Sequence, residues 1–531
     1  MGDVDSAITE WRRILGRDGV LDHGSSLDVL LENCGGMERQ IIAVVFPRGT
    51  ADVIRIVNAA NKYLVPLYPI SRGKNYGLGS RLPVKDGCAV VSLEKMNSVV
   101  EVNLNHGYAV IEPGVTQHQL YKYLRDSGTP YFLDTTGSGR DTSILGNILD
   151  GGDTYYSRRD LRDLEVVLGN GSLIKTGLSH YGNALAGHLS SVGVGPNLSG
   201  LFRQSNFGIV TKAAVGLLPV GEDHAIMVCN VDNDSLLPQL INKLSSLRRE
   251  AVLRSSVHIS NRDRIEIYIK PMAYKYAADF LHKNDESETL DFAEYVFRKG
   301  GFGAWSAVTG IFGTKPEVYA VKKEIKRVLH GIGKLKFIKK STLDFLEVIP
   351  LDYVKALAYA MKPLYEITRG VPTDVALYTV HWPLGHFPNN ELLDPDKCKK
   401  CGLLYYLPII PTDGDTANMV VWKIKDIFSD NKFTPYITLN MVTQDTLEGV
   451  VNLSFDRSDK DQALRARNCI DKTMRELADK GVYPCRVDID SMDKVLVDDS
   501  FWRLVQNLKK ICDPNGIIAP GRYNFIWYLK K

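Results

Sequence analysis

The chain has 531 residues, 44% hydrophobic and 24% charged, and its 65 basic and 62 acidic side chains leave a net charge of +3. Such apolar content with balanced charge excludes intrinsic disorder as the main state, and the length gives room for about two to four domains with large cores. A charge so near neutrality gives no reason to expect nucleic acid or an anionic membrane as partner.

The start, Met1-Gly2-Asp3-Val4-Asp5-Ser6, carries acids and no apolar h-region, and no apolar run is long enough for a bilayer, so a soluble, cytoplasmic protein is expected. From there, β-like Ile41 to Phe46 is followed by Thr50 to Tyr63, whose Val53, Ile54, Ile56, Val57 and Ala60 share one helical face. A short strand, Pro66 to Ile70, runs into the glycine-rich turn Ser71 to Ser80. Strands are expected at Cys88 to Leu93, Val99 to Asn103 and Tyr108 to Glu112, and a helix at Gln117 to Ser127. Leu164 to Leu168 and Ser172 to Thr176 flank Asn170-Gly171, which predicts a hairpin with a type I′ turn. After Pro219 the texture changes to longer helices and alternating strands without glycine loops, through about residue 490. Residues 384–402 are rich in Pro, Asn, Asp and Lys and read as an exposed loop. The overall expectation is α+β, with one glycine-rich domain early and a different domain inserted late, before a final 20 residues that return to turn chemistry.

The chemistry concentrates in the glycine loops. In the first, Gly73, Gly77 and Gly79 let backbone N–H groups close on a phosphate, and Asn75 and Ser80 add side-chain hydrogen bonds. No helix opens at these glycines, so the loop is not a Rossmann fingerprint. A second region runs Thr136-Gly-Ser-Gly139, Gly146-Asn147 and Gly151-Gly152, and a third Gly193-Val-Gly195-Pro196 and Leu201 to Thr211. An ordinary turn accounts for any one of them. Three polar glycine loops in one stretch suit a long dinucleotide threaded through a domain.

The ordered motifs Pro69-Ile-Ser-x-Gly-x-Asn-x-Gly-x-Gly-Ser80, Glu112-Pro-Gly-Val-Thr116, Leu145-Gly-Asn147, Gly193-Val-Gly-Pro196, Gly200 to Lys212 and Asp513-Pro-Asn-Gly-Ile-Ile-Ala-Pro-Gly521 resemble the vanillyl-alcohol oxidase / p-cresol methylhydroxylase (PCMH-type) flavoproteins. The resemblance implies a two-part FAD-binding domain, over 1–220 and 491–531, with an inserted α+β cap (substrate) domain over 221–490 that covers the flavin ring, and hydride transfer from a substrate carbon to flavin. It implies an FAD site built from Pro69, Ser71, Gly73, Lys74, Asn75, Tyr76, Gly77, Gly79, Ser80, Pro113, Gly114, Thr136, Gly137, Ser143, Gly146, Asn147, Ile209, Val210 and Arg522. It also implies oxygen or a redox protein as electron acceptor, and a homo-oligomer such as a dimer.

The active-site positions depart from the family's pattern. Relatives that oxidise para-alkylphenols hold the phenolate with two tyrosines and an arginine; here Leu78 and Cys485 stand at the tyrosine positions and Arg486 is kept. Arg486 suits a carboxylate, a phenolate or the reduced flavin's charge, or else an ordinary salt bridge. The family's acidic residue falls in 150–160, where Asp153, Tyr155, Tyr156 or Asp160 reaches the flavin, unless Asp160 pairs with Arg158, Arg159 or Arg162. Glu448, ahead of a strand on which relatives carry histidines, is a base if burial raises its pKa and otherwise an exposed strand-end carboxylate. The catalytic set is thus Arg486, Glu448, Asp160 and Tyr156. Leu403 occupies the position of the flavin-linking histidine, so non-covalent FAD is expected, with Cys401, Tyr405 and His386 as the other candidates for a link. Alternative functions are a D-lactate- or glycolate-type 2-hydroxy-acid dehydrogenase and a flavin-binding protein without turnover.

Eight cysteines are scattered, and only Cys398-Lys-Lys-Cys401 is closely spaced. With no second such pair and no His-x-x-x-His nearby, the pair reads as two reduced thiols and no metal is expected.

Overall fold

The computed structural model describes residues 2–24, 27, 30–156, 161–283, 285–387 and 393–525. The first unit is a parallel crossover. Ile41–Val45 and Leu67–Ile70 both pair in parallel with Cys88–Ser92, and parallel neighbours need a long connection to bring the chain back. The Thr50–Tyr63 helix makes that connection, burying the expected Val53, Ile56, Val57 and Ala60. Its outer side is covered by the Val4–Leu15 helix, which buries Ala7, Ile8, Trp11 and Leu15, with Trp11 Nε1 donating to the Ile56 carbonyl at 3.3 Å.

The C-terminal tail belongs to this unit. Leu67 N donates to Ile517 O at 2.7 Å and Ala519 N to Leu67 O at 2.6 Å. Asp513 is fully buried and accepts from Ile517 N and Ile518 N at 3.1 and 2.7 Å, while Lys509 is ion-paired with it and donates to Ile518 O at 2.7 Å. A buried ion pair saturated by backbone groups in this way holds one geometry. The Asp513-Pro-Asn-Gly motif is therefore a structural clamp on the tail.

A second, five-stranded antiparallel sheet runs Val99–Asn103, Tyr108–Ile111, Gly208–Gly216, Leu161–Leu168, Leu173–Lys175. The hairpin is present, but its turn is not type I′. Only Gly171 has positive φ (86°), and Leu168 N donates to Ser172 O at 2.9 Å. This is a three-residue loop with glycine at the left-handed position. Asn170 keeps ordinary φ because its backbone N donates to Cys512 O and its side chain accepts from Ser172 N.

The cap is built on an eight-stranded sheet in which Asp223–Val231, Val257–Asn261, Trp305–Gly313, Tyr436–Met441 and Thr446–Asp456 are successive antiparallel neighbours of one another or of the strands between. Strand side chains alternate between faces. One face puts Met227, Cys229, Val257, Ile259, Ala307, Leu439 and Val451 into the main core, under the helices Leu237–Arg249 and Gly414–Asp430. The other face presents Val228, His258, Ser260, Ser306, Val308, Thr438, Asn440, Val450 and Asn452 to a cavity, closed by the helices Arg262–Phe280 and Asp352–Ile367.

Residues 393–402 are not the exposed loop expected for 384–402. Asp396 is 2% exposed and its Oδ1 accepts from Cys34 N at 2.8 Å and Ser80 Oγ at 3.0 Å, while Asp394 pairs with Lys74. The carboxylates that gave this segment its polar look are turned inward as a clamp on the first glycine loop.

Candidate functional site

A cavity of about 490 Å³ runs from the glycine loops to the cap sheet. Of the residues expected at a cofactor, Pro69, Ser71, Gly73, Lys74, Asn75, Tyr76, Ser80, Pro113, Thr136, Gly137, Ser143, Gly146, Asn147, Ile209, Val210 and Arg522 line it. Gly77, Gly79 and Gly114 do not, and each is a glycine for packing. A Cβ at Gly114 would lie 2.7 Å from three backbone carbonyl oxygens, and at Gly77 (φ 70°) 2.9 Å from the Tyr405 ring. Lys74 has its ammonium taken by Asp394. The loops close tightly on one another, since a Cβ at Gly146 would fall 2.1 Å from Ser71 Oγ. Arg72 Nε and Asn147 Oδ1 are buried on this cavity without a protein partner. Unsatisfied buried polar atoms beside a glycine cradle fit a bound dinucleotide, which would supply the missing partners.

The expected catalytic residues fall differently. Arg486 lines the cavity, but its Nη1 donates to Asp150 Oδ2 at 3.0 Å, and Arg522 Nη2 donates to Asp150 Oδ1 at 2.7 Å. Burial by itself would lower the Arg486 pKa; the Asp150 carboxylate outweighs it and the guanidinium is held firmly charged. Asp150→Asn is expected to destabilise the fold by about 3–5 kcal/mol in urea unfolding, because two buried guanidiniums lose their shared counter-charge. Tyr156 does not reach the cavity: it is 3% exposed, donates its hydroxyl to the Thr368 carbonyl and packs edge-on against Phe132 and Phe312. Glu448 is buried rather than exposed and lies beside Asn440 in the sheet, yet it does not line the cavity. Asp160, with Arg158 and Arg159, lies outside the described residues. Of the possible flavin-linking side chains, Tyr405 lines the cavity, whereas Cys401 and His386 do not.

Two groups that sequence reasoning missed occupy the centre of the cap side. Arg264, in the first turn of the Arg262–Phe280 helix, donates to Thr379 Oγ1 at 3.1 Å and has no carboxylate within ion-pair distance among the described residues. Burial pushes its pKa down, partly countered by the phenols of Tyr405, Tyr155, Tyr268 and Tyr436 around it. Burial also pushes the Tyr155 and Tyr405 phenols up to about 12, so both are neutral at ordinary pH. Arg264 therefore stands on the cavity as a guanidinium without an ion-pair partner among the described residues, ringed by hydroxyls.

The second group is His258. Asn440 Nδ2 donates to Asp153 Oδ2 at 2.5 Å, and Asn440 Oδ1 lies 2.7 Å from His258 Nδ1. A carboxylate only accepts, so the amide must turn its NH₂ to Asp153 and its oxygen to the ring. His258 must then carry its proton on Nδ1. That leaves Nε2 as a bare lone pair, buried and without a protein partner. The Tyr155 ring against it, centroids 4.4 Å apart, fixes its plane. Burial lowers the His258 pKa, with Asp153 and Asn440 acting the other way, so the ring is neutral at physiological pH and able to take a proton.

His258 was within reach of pattern reading. Val257-His-Ile-Ser-Asn261 alternates with period two, and polar His258 and Ser260 between apolar neighbours mark a strand whose second face meets something other than core.

A family model described as an FAD binding domain matches residues 41–177. The chain is 29% identical to 1′-carboxy-chondrochloren decarboxylase of Chondromyces crocatus, over 98% of this chain and 97% of that one. It is 24% identical to the flavoprotein subunit of 4-cresol dehydrogenase [hydroxylating] of Pseudomonas putida, over 98% and 95%. A crystal structure of p-cresol methylhydroxylase superposes with a TM-score of 0.84 at 23% identity, covering 99% of this chain and 97% of that chain. The chain thus carries an FAD-binding domain and has the two-domain fold of p-cresol methylhydroxylase, as an FAD-linked oxidoreductase does.

Proposed function

We propose that this flavoprotein oxidises an apolar or aromatic molecule bearing an acidic oxygen, a carboxylate or a phenolate, which Arg264 holds while His258 accepts a proton. The observation that carries the reading is Arg264, deep on the same cavity as the FAD loops and without a carboxylate partner among the described residues. A buried cation is costly unless an anion joins it, so a site that leaves one open is built for an anionic ligand. Ile265, Ile269, Phe302, Met361 and Leu364 wall the cavity beyond Arg264 and match an apolar body. Both full-length relatives act, by their names, on molecules with such an oxygen, a carboxy group in one and a phenol in the other. FAD, when bound, supplies the two-electron acceptor.

The residues proposed to hold the cofactor are those of the three loops that line the cavity, with Arg72 and Asn147 gaining the partners they lack. Arg486, tied with Arg522 to Asp150, is proposed to position the loops rather than the substrate. The flavin is proposed to be held without a covalent bond, Leu403 having no atom able to form one; Tyr405, on the same cavity, is the side chain that a yellow acid pellet would point to.

Anaerobic mixing with a panel of 4-alkylphenols and aryl- or acyl-substituted carboxylic acids tests the reading. Bleaching of the flavin by at least one acidic class is expected, and by none of the uncharged alcohols of like size. Release of CO₂ in the same reaction separates decarboxylation from simple oxidation. Bleaching by neutral alcohols alone overturns the proposal. Acid precipitation of the same preparation should leave the yellow colour in the supernatant.

A further inference from the structure

The Val375–His381 helix ends in a buried histidine, and the chain then turns through Trp382–Leu384 to Gly385, at φ 61°. That left-handed residue brings His386 back, so that its Nδ1 lies 2.9 Å from His381 Nδ1. Cys398 and Cys401 arrive from another direction, in a turn closed by Cys401 N donating to Cys398 O at 3.2 Å, where the Cys401–Tyr406 strand begins. Cys401 Sγ is 3.1 Å from His381 Nδ1 and Cys398 Sγ 4.0 Å from His386 Nδ1. All four donor atoms lie within 4.8 Å of one another.

We propose that His381, His386, Cys398 and Cys401 bind a structural zinc ion. A tetrahedral ion with bonds of about 2.0–2.1 Å to nitrogen and about 2.3 Å to sulfur separates its ligands by roughly 3.3–3.8 Å. The observed spacings, from 2.9 Å up to no more than 4.8 Å, bracket that range. The second shell is in place: His381 Nε2 lies 3.1 Å from the Leu393 carbonyl, which fixes the proton there and leaves Nδ1 as a lone pair facing the other three. That lone pair has two close neighbours, an imidazole nitrogen and a sulfur, and one proton satisfies only one of the contacts. A cation satisfies all four donors at once. Two thiolates cancel the charge of Zn²⁺, which suits a site whose His381 and Cys401 are fully buried. Two soft sulfurs with two imidazoles select zinc over calcium or magnesium, and four protein ligands leave no open position for catalysis.

The ion would fasten two walls of the cavity together. Thr379 and Val380, just before His381, line one wall, and Leu403 and Tyr405, just after Cys401, line another. Thr379 is also the hydroxyl that accepts from Arg264. The ligands come as His-x₄-His on a helix end and Cys-x₂-Cys at a strand start, spacings usual for zinc but with the histidines ahead of the cysteines.

Metal analysis of the purified holo-flavoprotein, produced in zinc-supplemented medium, should find about one zinc per chain. X-ray absorption at the zinc edge should show two sulfur and two nitrogen ligands at the distances above. Cys401→Ser and His381→Ala should each lower the zinc content at least tenfold. Should these variants fail to fold, a mercurial thiol reagent added to the unaltered protein should release one zinc per chain. Zinc below about 0.2 per chain after incubation with zinc chloride, a ligand shell without sulfur, or a Cys398–Cys401 disulfide in the peptide map would overturn the proposal.

Discussion

Arg264→Met is expected to lower the second-order rate constant for anaerobic flavin reduction by about 100- to 1,000-fold, or about 3–4 kcal/mol, the range for truncating one partner of a buried charge pair. The FAD content of the variant should be unchanged. Stability gives the sharper signature. Without substrate, Arg264 is a buried guanidinium whose described polar contact is to a hydroxyl, so its removal leaves no orphaned acid behind. An apolar side chain of similar length removes a desolvated charge, and the midpoint of thermal unfolding should stay level or rise. Arg486→Met makes the contrast: Asp150 loses one of its two guanidiniums, and unfolding should shift downward. If Arg264→Met loses stability and keeps its reduction rate, the cation is structural and the substrate's acidic oxygen binds elsewhere. Stopped-flow absorbance at several substrate concentrations, beside a thermal melt, decides between them.

What the sequence showed best was what local physics writes locally. The Thr50–Tyr63 stripe and the strands on either side of it are set by spacing and by backbone propensity, and the structure has them within a residue or two. The cap side was harder, because its chemistry depends on which distant strands become neighbours. His258, Asn440 and Asp153 are separated by more than a hundred residues at each step, and only the pairing of Val257–Asn261 with Tyr436–Met441 joins the first two. Arg486 could be found from its motif, but not the fact that Asp150 already holds it, since that pairing spans 336 residues. Composition misled at 393–402, where inward-turned carboxylates look the same in sequence as solvated ones. Tyr156 misled for a related reason: its neighbour Tyr155 lines the cavity, while Tyr156 turns away to bond the Thr368 carbonyl.

His258→Gln is expected to slow flavin reduction by about 10²- to 10⁴-fold, the usual contribution of a positioned proton acceptor, and to change the pH profile in a defined way. The base works only when Nε2 is unprotonated, so the rate is full above the pKa of His258 and falls tenfold per pH unit below it. Burial, the largest influence, moves that pKa below the ordinary 6.5, and the acid limb should therefore lie below pH 6.5 with a flat profile above it. The glutamine variant keeps a donor and an acceptor near Asn440 but has no titrating lone pair, so its residual rate should show no acid limb in this range. Asp153→Asn provides the second test. The Asp153 charge favours the protonated ring, so its removal should displace the limb to still lower pH while Asn440 continues to orient His258. A limb that survives in His258→Gln at the same midpoint would assign the proton to another group. A limb that moves upward in Asp153→Asn would mean that the Asp153–Asn440–His258 chain does not govern the titration.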